Sequence, residues 1–234
     1  MDLLLALWRV LPWIDWVALA SFFAAWVGYA SFAHRRGLVR PSVLASTNRE
    51  RMRWMRQTTF RDNRVIDGVV VQNLSSSPSF FASTTILIIG GLLAVLSSNE
   101  RVSEIVREIP FAVRSTVLVF DLKIVLLLAI FIYAFFRFTW ALRQYSFGAL
   151  LVAAAPEPEY FTDEAQRLAF ADRAGRVMGL AAETFNDGLR AYYLSFAATA
   201  WFFSPWALIG ATIGVVFILY QREFRSDVLA ILNA

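Results

Sequence analysis

Between Arg190 and Arg222 the chain carries no charged residue. A helix needs about 20 mostly apolar residues to cross a hydrocarbon core of roughly 30 Å, so this run is long enough to do so. In lipid every backbone N–H and C=O must be satisfied internally, which restricts spanning structure to helices and closed barrels. Three further runs, at 14–33, 80–96 and 117–136, meet the same demand. With 58% hydrophobic and 17% charged residues, the chain departs in both respects from soluble domains, which carry roughly 45–50% and about 25%. The expected fold class is all-α: an integral membrane bundle of about four transmembrane helices, with amphipathic surface helices and cytoplasmic helical extensions. We expect one membrane domain over 1–234, with spans near 14–33, 80–96, 117–136 and 191–220. Pro205 should kink the last span, because its ring removes a backbone donor.

The loops predict an orientation. Nine arginines fall in loop one (34–79) and six in loop three (137–190), against three in the loop between the second and third spans. The positive-inside rule places loops one and three in the cytoplasm, and an even number of crossings then turns both termini outward. The opening Met1-Asp2-Leu3 lacks a basic n-region, and no small-x-small cleavage site ends the first apolar run, so the first span is expected to be retained.

The loops also have helical patterns. Val102, Ile105, Val106 and Ile109 recur at helical spacing with charges between them, and Pro110 ends the pattern; this predicts an amphipathic helix on the outer surface. Residues 3–11 could lie there too. Thr47-Asn48-Arg49-Glu50 reads as a capping box. Asp62 is placed to cap a further helix that runs on into the second span, and a helix with Asp163 and Glu164 in its first turn should start near Thr162.

Several patches resemble the bacterial branch of a domain-of-unknown-function family, number 599. They include Val71-Gln72-Asn73 with the hydroxyl-rich stretch after it, Gly90-Gly91-Leu92-Leu93-Ala94-Val95-Leu96-Ser97 and Leu142-Arg143-Gln144-Tyr145. Others are Phe185-Asn186-Asp187-Gly188-Leu189-Arg190-Ala191-Tyr192-Tyr193 and Tyr220-Gln221-Arg222-Glu223-Phe224. The resemblance implies a four-helix membrane protein, here of the bacterial inner membrane. It implies no activity and assigns no functional residue.

Three residue sets are candidate sites. Asp15, Asp121 and Lys123, the only lysine, lie within or at the mouths of apolar runs. Charge at membrane depth is costly unless paired or wetted. Asp121 and Lys123 are about 200° apart on a helix and cannot pair with each other efficiently, so each needs a partner elsewhere or in water. Asp15–Lys123 and Arg114–Asp121 are candidate pairs, and the charges serve either structure, with Lys123 snorkelling outward, or an ion or substrate path. Gln72, Asn73, Ser76 and Thr84 head a polar approach to the second span that could line a passage or hydrogen-bond helices together. Arg49, Arg53 and Arg56 share a helix face that could meet anionic lipid, although loop arginines also simply set topology. Two small-residue sets, Gly90-Gly91 with Ala94 and the ladder Ala171, Gly175 and Gly179, suit close helix packing within or between chains.

Enzymatic motifs are absent. The chain has no cysteine and one histidine, His34, which removes thiolate and multi-histidine metal sites. No phosphate loop, nucleophile elbow or metalloprotease motif occurs. We therefore expect a non-enzymatic protein without cofactor or nucleic-acid partner, whose partners are the bilayer and either further copies of itself or a larger membrane complex. Its expected role is that of a homo-oligomeric, channel-like or transport protein; the alternative is a structural or accessory subunit of that complex.

Overall fold

Helix is the only regular structure among residues 11–97 and 116–234, the part of the chain that the computed structural model describes. In chain order the helices are α1 (Trp13–Val39), α2 (Val43–Thr58), α3 (Val65–Ser97), α4 (Val117–Ala153), α5 (Glu164–Thr199), α6 (Pro205–Phe224) and α7 (Asp227–Leu232). Short 3-10 turns occupy Pro158–Tyr160 and Ala200–Phe202. Four candidate spans, in α1, α3, α4 and from Pro205 onward, are long and apolar enough to cross a membrane, as an all-α membrane bundle requires. The surface helix expected around 102–109, residues 3–10 and Arg114 lie outside the described residues.

At 33 and 37 residues, α3 and α4 are about 50 and 55 Å long at 1.5 Å per residue, well beyond the roughly 30 Å hydrocarbon core. The expected extension of the spans into extramembrane helix is thus continuous, and α3 runs unbroken through Pro78.

Local polar groups set the helix ends, in two cases differently from the sequence reading. Arg40 precedes Pro41 and is disfavoured in helix, which separates α1 from α2. Ser42 then caps α2 by accepting from Ala45 N–H at 3.1 Å. That start is a turn earlier than the Thr47 capping box. The Thr47 hydroxyl instead donates back to the carbonyls of Val43 and Leu44, and Glu50 pairs with Arg53 at 2.7 Å. At α3 it is Asn63, not Asp62, that accepts from Val65 N–H at 2.9 Å. The start of α5 is as expected: Asp163 accepts from Gln166 N–H, while Thr162 N–H donates back to the Gln166 side chain.

The fourth span requires a larger correction. The run 191–220 is not one kinked helix but the end of α5, a 3-10 turn and a new helix. Proline is tolerated at the first helical position, where its missing N–H would be unpaired anyway. Ser204 supplies the cap, accepting from Ala207 N–H at 2.9 Å, so Pro205 begins α6.

Contacts divide the chain into two units. The first comprises Met1–His34, Thr85–Ala134 and Leu189–Tyr220. Its core is Ala18, Phe22, Ile130, Leu194, Trp201 and Leu208, each 2% exposed or less. Here α5 runs antiparallel to α1, with Arg190 over the ring of Tyr29 and Trp201 against Asp15. Along α6 the direction reverses, and Phe32 meets Tyr220. The run 191–220 therefore covers the depth of α1 twice, as a helical hairpin.

The second unit comprises Arg35–Thr84, Phe135–Gly188 and Gln221–Ala234. Its core gathers Met55, Val71, Tyr145, Ala174 and Met178. Gly175 is required there by close approach: a Cβ would lie 3.2 Å from Met52 Cα and 2.3 Å from its sulfur, and one at Gly179 would touch Asn48. The ladder Ala171, Gly175 and Gly179 thus serves packing of α5 on α2 within one chain. At Gly90 and Gly91 a Cβ would meet nothing within 4 Å.

The C-terminal segment belongs to this second unit. Asn233 hydrogen-bonds Ser46 and Arg49, and Glu223 accepts from Leu44 N–H. It therefore shares the side of loop one, which conflicts with termini that both lie opposite that loop. The hairpin explains why: an apolar run that reads as one crossing doubles back on itself. A reporter fused after Ala234 and one inserted beside Arg61 are expected to give the same sidedness in a protease-accessibility assay. Opposite readings would refute the hairpin.

Candidate functional site

In the first unit, Asp15 and Lys123 are brought to one side chain that the sequence reading did not single out. Asp15 lies in the first turn of α1, where unpaired N–H groups favour a carboxylate. It accepts a 2.6 Å hydrogen bond from the indole N–H of Trp201. The Lys123 ammonium sits 5.4 Å from the Trp201 ring and 5.6 Å from that of Phe202, a cation–π geometry that strengthens when desolvated. Asp15 is 7% and Lys123 4% exposed, and the carboxylate acts electrostatically on the ammonium. The two charges are thus linked through an aromatic platform at the α5–α6 turn. A tryptophan amid an apolar run was the available signal, because a buried indole N–H usually finds an acceptor. Asp121 is half-buried, and the Arg114 considered for it lies outside the described residues.

The polar approach to the second span is a surface of α3. Gln72, Asn73 and Ser76 are exposed and Thr84 is half-buried. The hydroxyls bond back to their own helix: Ser75 to Gln72 O, Ser76 to Asn73 O and Thr84 to Phe80 O, at 2.7–2.9 Å. A hydroxyl satisfied in this way is compatible with a dry surface. The exposed amides of Gln72 and Asn73 have more donors and acceptors than their own helix can meet.

On α2 each arginine of the proposed lipid-contact set meets a partner within the second unit. Arg49 donates to Ser46 and Asn233, Arg53 pairs with Glu50, and Arg56 pairs with Glu164. The Glu50 and Glu164 carboxylates reduce the free charge this face offers to a lipid headgroup, whereas the partners of Arg49 are neutral and engage its donors without offsetting its charge.

Two deeper polar clusters had no sequence signal. Arg51 donates to Thr47 Oγ1 at 3.0 Å and Asn48 Oδ1 at 2.8 Å, beside Tyr145 and the Glu183 carboxylate. Burial pulls its guanidinium below the usual arginine pKa, and Tyr145 and Glu183 partly oppose that. Asn48 also donates to Glu183 at 3.3 Å, so the cluster ties α2 to α5. The second cluster centres on Asp67, whose side chain is fully buried. Its Oδ1 accepts from Trp54 Nε1 at 2.7 Å, Thr58 Oγ1 at 3.2 Å and Arg61 at 2.5 Å. The cluster clasps the α2–α3 connection, and Arg64 extends it by donating to the carbonyls of Ala155 and Pro156.

No curated protein and no solved structure matches this chain. A family model described as "Protein of unknown function, DUF599" matches residues 17–228, a stretch that takes in every helix of the two units except the first turn of α1 and most of α7, together with all of the patches quoted from the sequence. With nearly its whole length so matched, the chain belongs to that family.

Proposed function

We propose that the protein is a non-enzymatic, multi-pass protein of the bacterial inner membrane that works as a homo-oligomer. In this reading α3 of each copy faces its neighbours, and the assembly has a channel-like or transport role. The observation that carries it is the outward face of α3, the least buried of the four candidate spans. That face presents Gln72, Asn73, Ser76 and Ser83. Ser83 lies within the apolar run and Gln72, Asn73 and Ser76 on its approach; the exposed amides have hydrogen-bonding capacity that another copy or a wetted passage would meet. Gly90 and Gly91, with open space above them, permit close helix approach on the same element. Asp15 and Lys123 then act as an anchor holding the α5–α6 turn, not as part of the passage. Positive-inside counting assigns loop one, loop three and the C-terminal segment to the cytoplasm, and the start of α1 to the opposite side.

The absence of cysteine gives a clean background for cross-linking. Single Asn73→Cys, Ser76→Cys and Ser83→Cys variants are expected to form disulfide dimers in membranes, whereas Leu150→Cys on α4 should not. Liposomes containing the wild-type assembly should pass solutes that protein-free liposomes retain. A monodisperse monomer with no cross-link at any α3 position would overturn the oligomer. Extraction with a stoichiometric second protein would instead favour an accessory subunit that uses the same face.

A further inference from the structure

Along α3 the exposed residues keep a seven-residue rhythm. Ile66, Val69, Asn73, Ser76, Phe80 and Ser83 follow one another at alternating intervals of three and four residues, and all six are exposed. The intervals continue to Leu87 and Gly90, which are exposed too. Ile66 is 71%, Phe80 66% and Leu87 75% exposed. The opposite side of the helix is turned to its own chain: Val71, Pro78 and Thr85, spaced by seven, are buried. A free side that repeats every 3.5 residues is the pattern of a left-handed coiled coil, where the first and fourth positions of each heptad face a partner helix.

Lipid alone does not account for this stripe. At about 50 Å, α3 is longer than the roughly 30 Å hydrocarbon core, and Ile66 and Val69 come about three turns or more ahead of the apolar run 80–96. Arg61, Asp62 and Asn63 are exposed just before the helix and belong in water, and Ile66 stands less than a turn beyond them. Burial against protein removes that apolar surface from water, which acyl chains at this level cannot do. From Gly68 to Ser97 the helix carries no charge, so a partner chosen by charge has nothing to read along it.

A second copy is the occupant that fits. Copies inserted with one sidedness associate about an axis along the membrane normal, so their α3 helices run parallel and each seam residue faces its own counterpart. Apolar residues meet themselves favourably, and so does Asn73, because an amide carries both donors and an acceptor. Asn73 falls at the first position of its heptad, where one asparagine specifies register and strand number in coiled coils. We infer that α3 pairs in parallel with α3 of a second copy as a left-handed coiled coil, with Asn73 setting its register. This rests on the assembly proposed above and adds which residues meet and in which direction. A right-handed crossing, close-packed at Gly90, would bring the helices together at one level only.

Single cysteines placed along α3 of the full-length chain and oxidised in native membranes test the geometry. Ile66→Cys, Val69→Cys, Ser76→Cys and Ser83→Cys should each form disulfide dimers several-fold faster than Gly68→Cys. Gly68 is also exposed but lies off the seam, and a Cβ there meets nothing within 4 Å. Asn73→Leu should keep the copies associated while spreading one species into several, read by native mass spectrometry in mild detergent. Dimers at one level alone would mean an antiparallel or right-handed crossing and would overturn the coil. Yields without the three-four rhythm, or a single unchanged species in Asn73→Leu, would overturn it as well. Those results leave α3-mediated assembly standing, whereas no α3 dimer at any position, or cross-links only to a different protein, would remove both.

Discussion

Asp15→Ala should lower stability in detergent by about 3–5 kcal/mol, because it strands a buried indole N–H and removes the negative charge that acts on a buried ammonium. Two groups lose their complement at once. The Trp201 indole N–H, now 2.6 Å from the carboxylate, is left buried without an acceptor, which by itself costs about 1–3 kcal/mol. Lys123, 4% exposed, keeps its aromatic contacts but loses the nearby negative charge. Adding Lys123→Met should recover part of the loss, because replacing a buried pair by apolar groups of similar volume is often close to neutral. Trp201→Phe in the wild-type background removes only the hydrogen bond and some ring area, so its effect should be smaller. The measurement is equilibrium unfolding followed by tryptophan fluorescence and circular dichroism, arranged as a double-mutant cycle. If Lys123→Met deepened the defect of Asp15→Ala, the two charges would not be coupled through this platform.

The next largest effect is expected at Asp67. Asp67→Ala leaves the Trp54 indole and the Thr58 hydroxyl without their acceptor. Arg61 loses its ion pair as well, but its side chain is 42% exposed and can turn to water. The cost should therefore be about 3 kcal/mol, set by the stranded buried donors rather than by the charge. Asp67→Asn keeps one carbonyl oxygen in place and should cost about half as much. Oδ2 of Asp67 is buried and meets no donor among the described residues, so an asparagine can put its amide nitrogen there and leave the carbonyl oxygen to the donors at Oδ1. Because the cluster clasps the α2–α3 connection, the same variants should speed proteolysis near Arg61 and Arg64 in otherwise folded protein. Normal stability in Asp67→Ala would mean that the three hydrogen bonds do not hold that connection.

These residues also show what could be read before the fold was known. The apolar runs at 14–33, 80–96 and 117–136 became parts of α1, α3 and α4 because continuous hydrophobicity is a local property that needs no knowledge of the neighbours. The start of α5 near Thr162 was legible for the same reason, since the acidic residues that mark it lie within one turn. The Thr47 capping box failed because two overlapping cap patterns compete there, and Pro41 gives Ser42 the advantage. The run 191–220 failed because proline has two uses in helices, kinking one or starting the next. Only Ser204 accepting from Ala207 N–H shows which applies.

The candidate residues divide in the same way. Asp15 and Lys123 were visible as costly charges in apolar surroundings, but Trp201, the side chain that joins them, lies far along the chain from Asp15. The sequence by itself determined that this chain is helical, membrane-embedded and of its family, because desolvation of apolar side chains sums over local stretches. Tertiary structure alone decided that the last apolar run folds back on itself, that the C-terminal segment rests on α2, and that Arg49, Arg53 and Arg56 are engaged. Each of these depends on which helix faces meet, and helix faces meet through contacts between residues distant in sequence that no local pattern encodes.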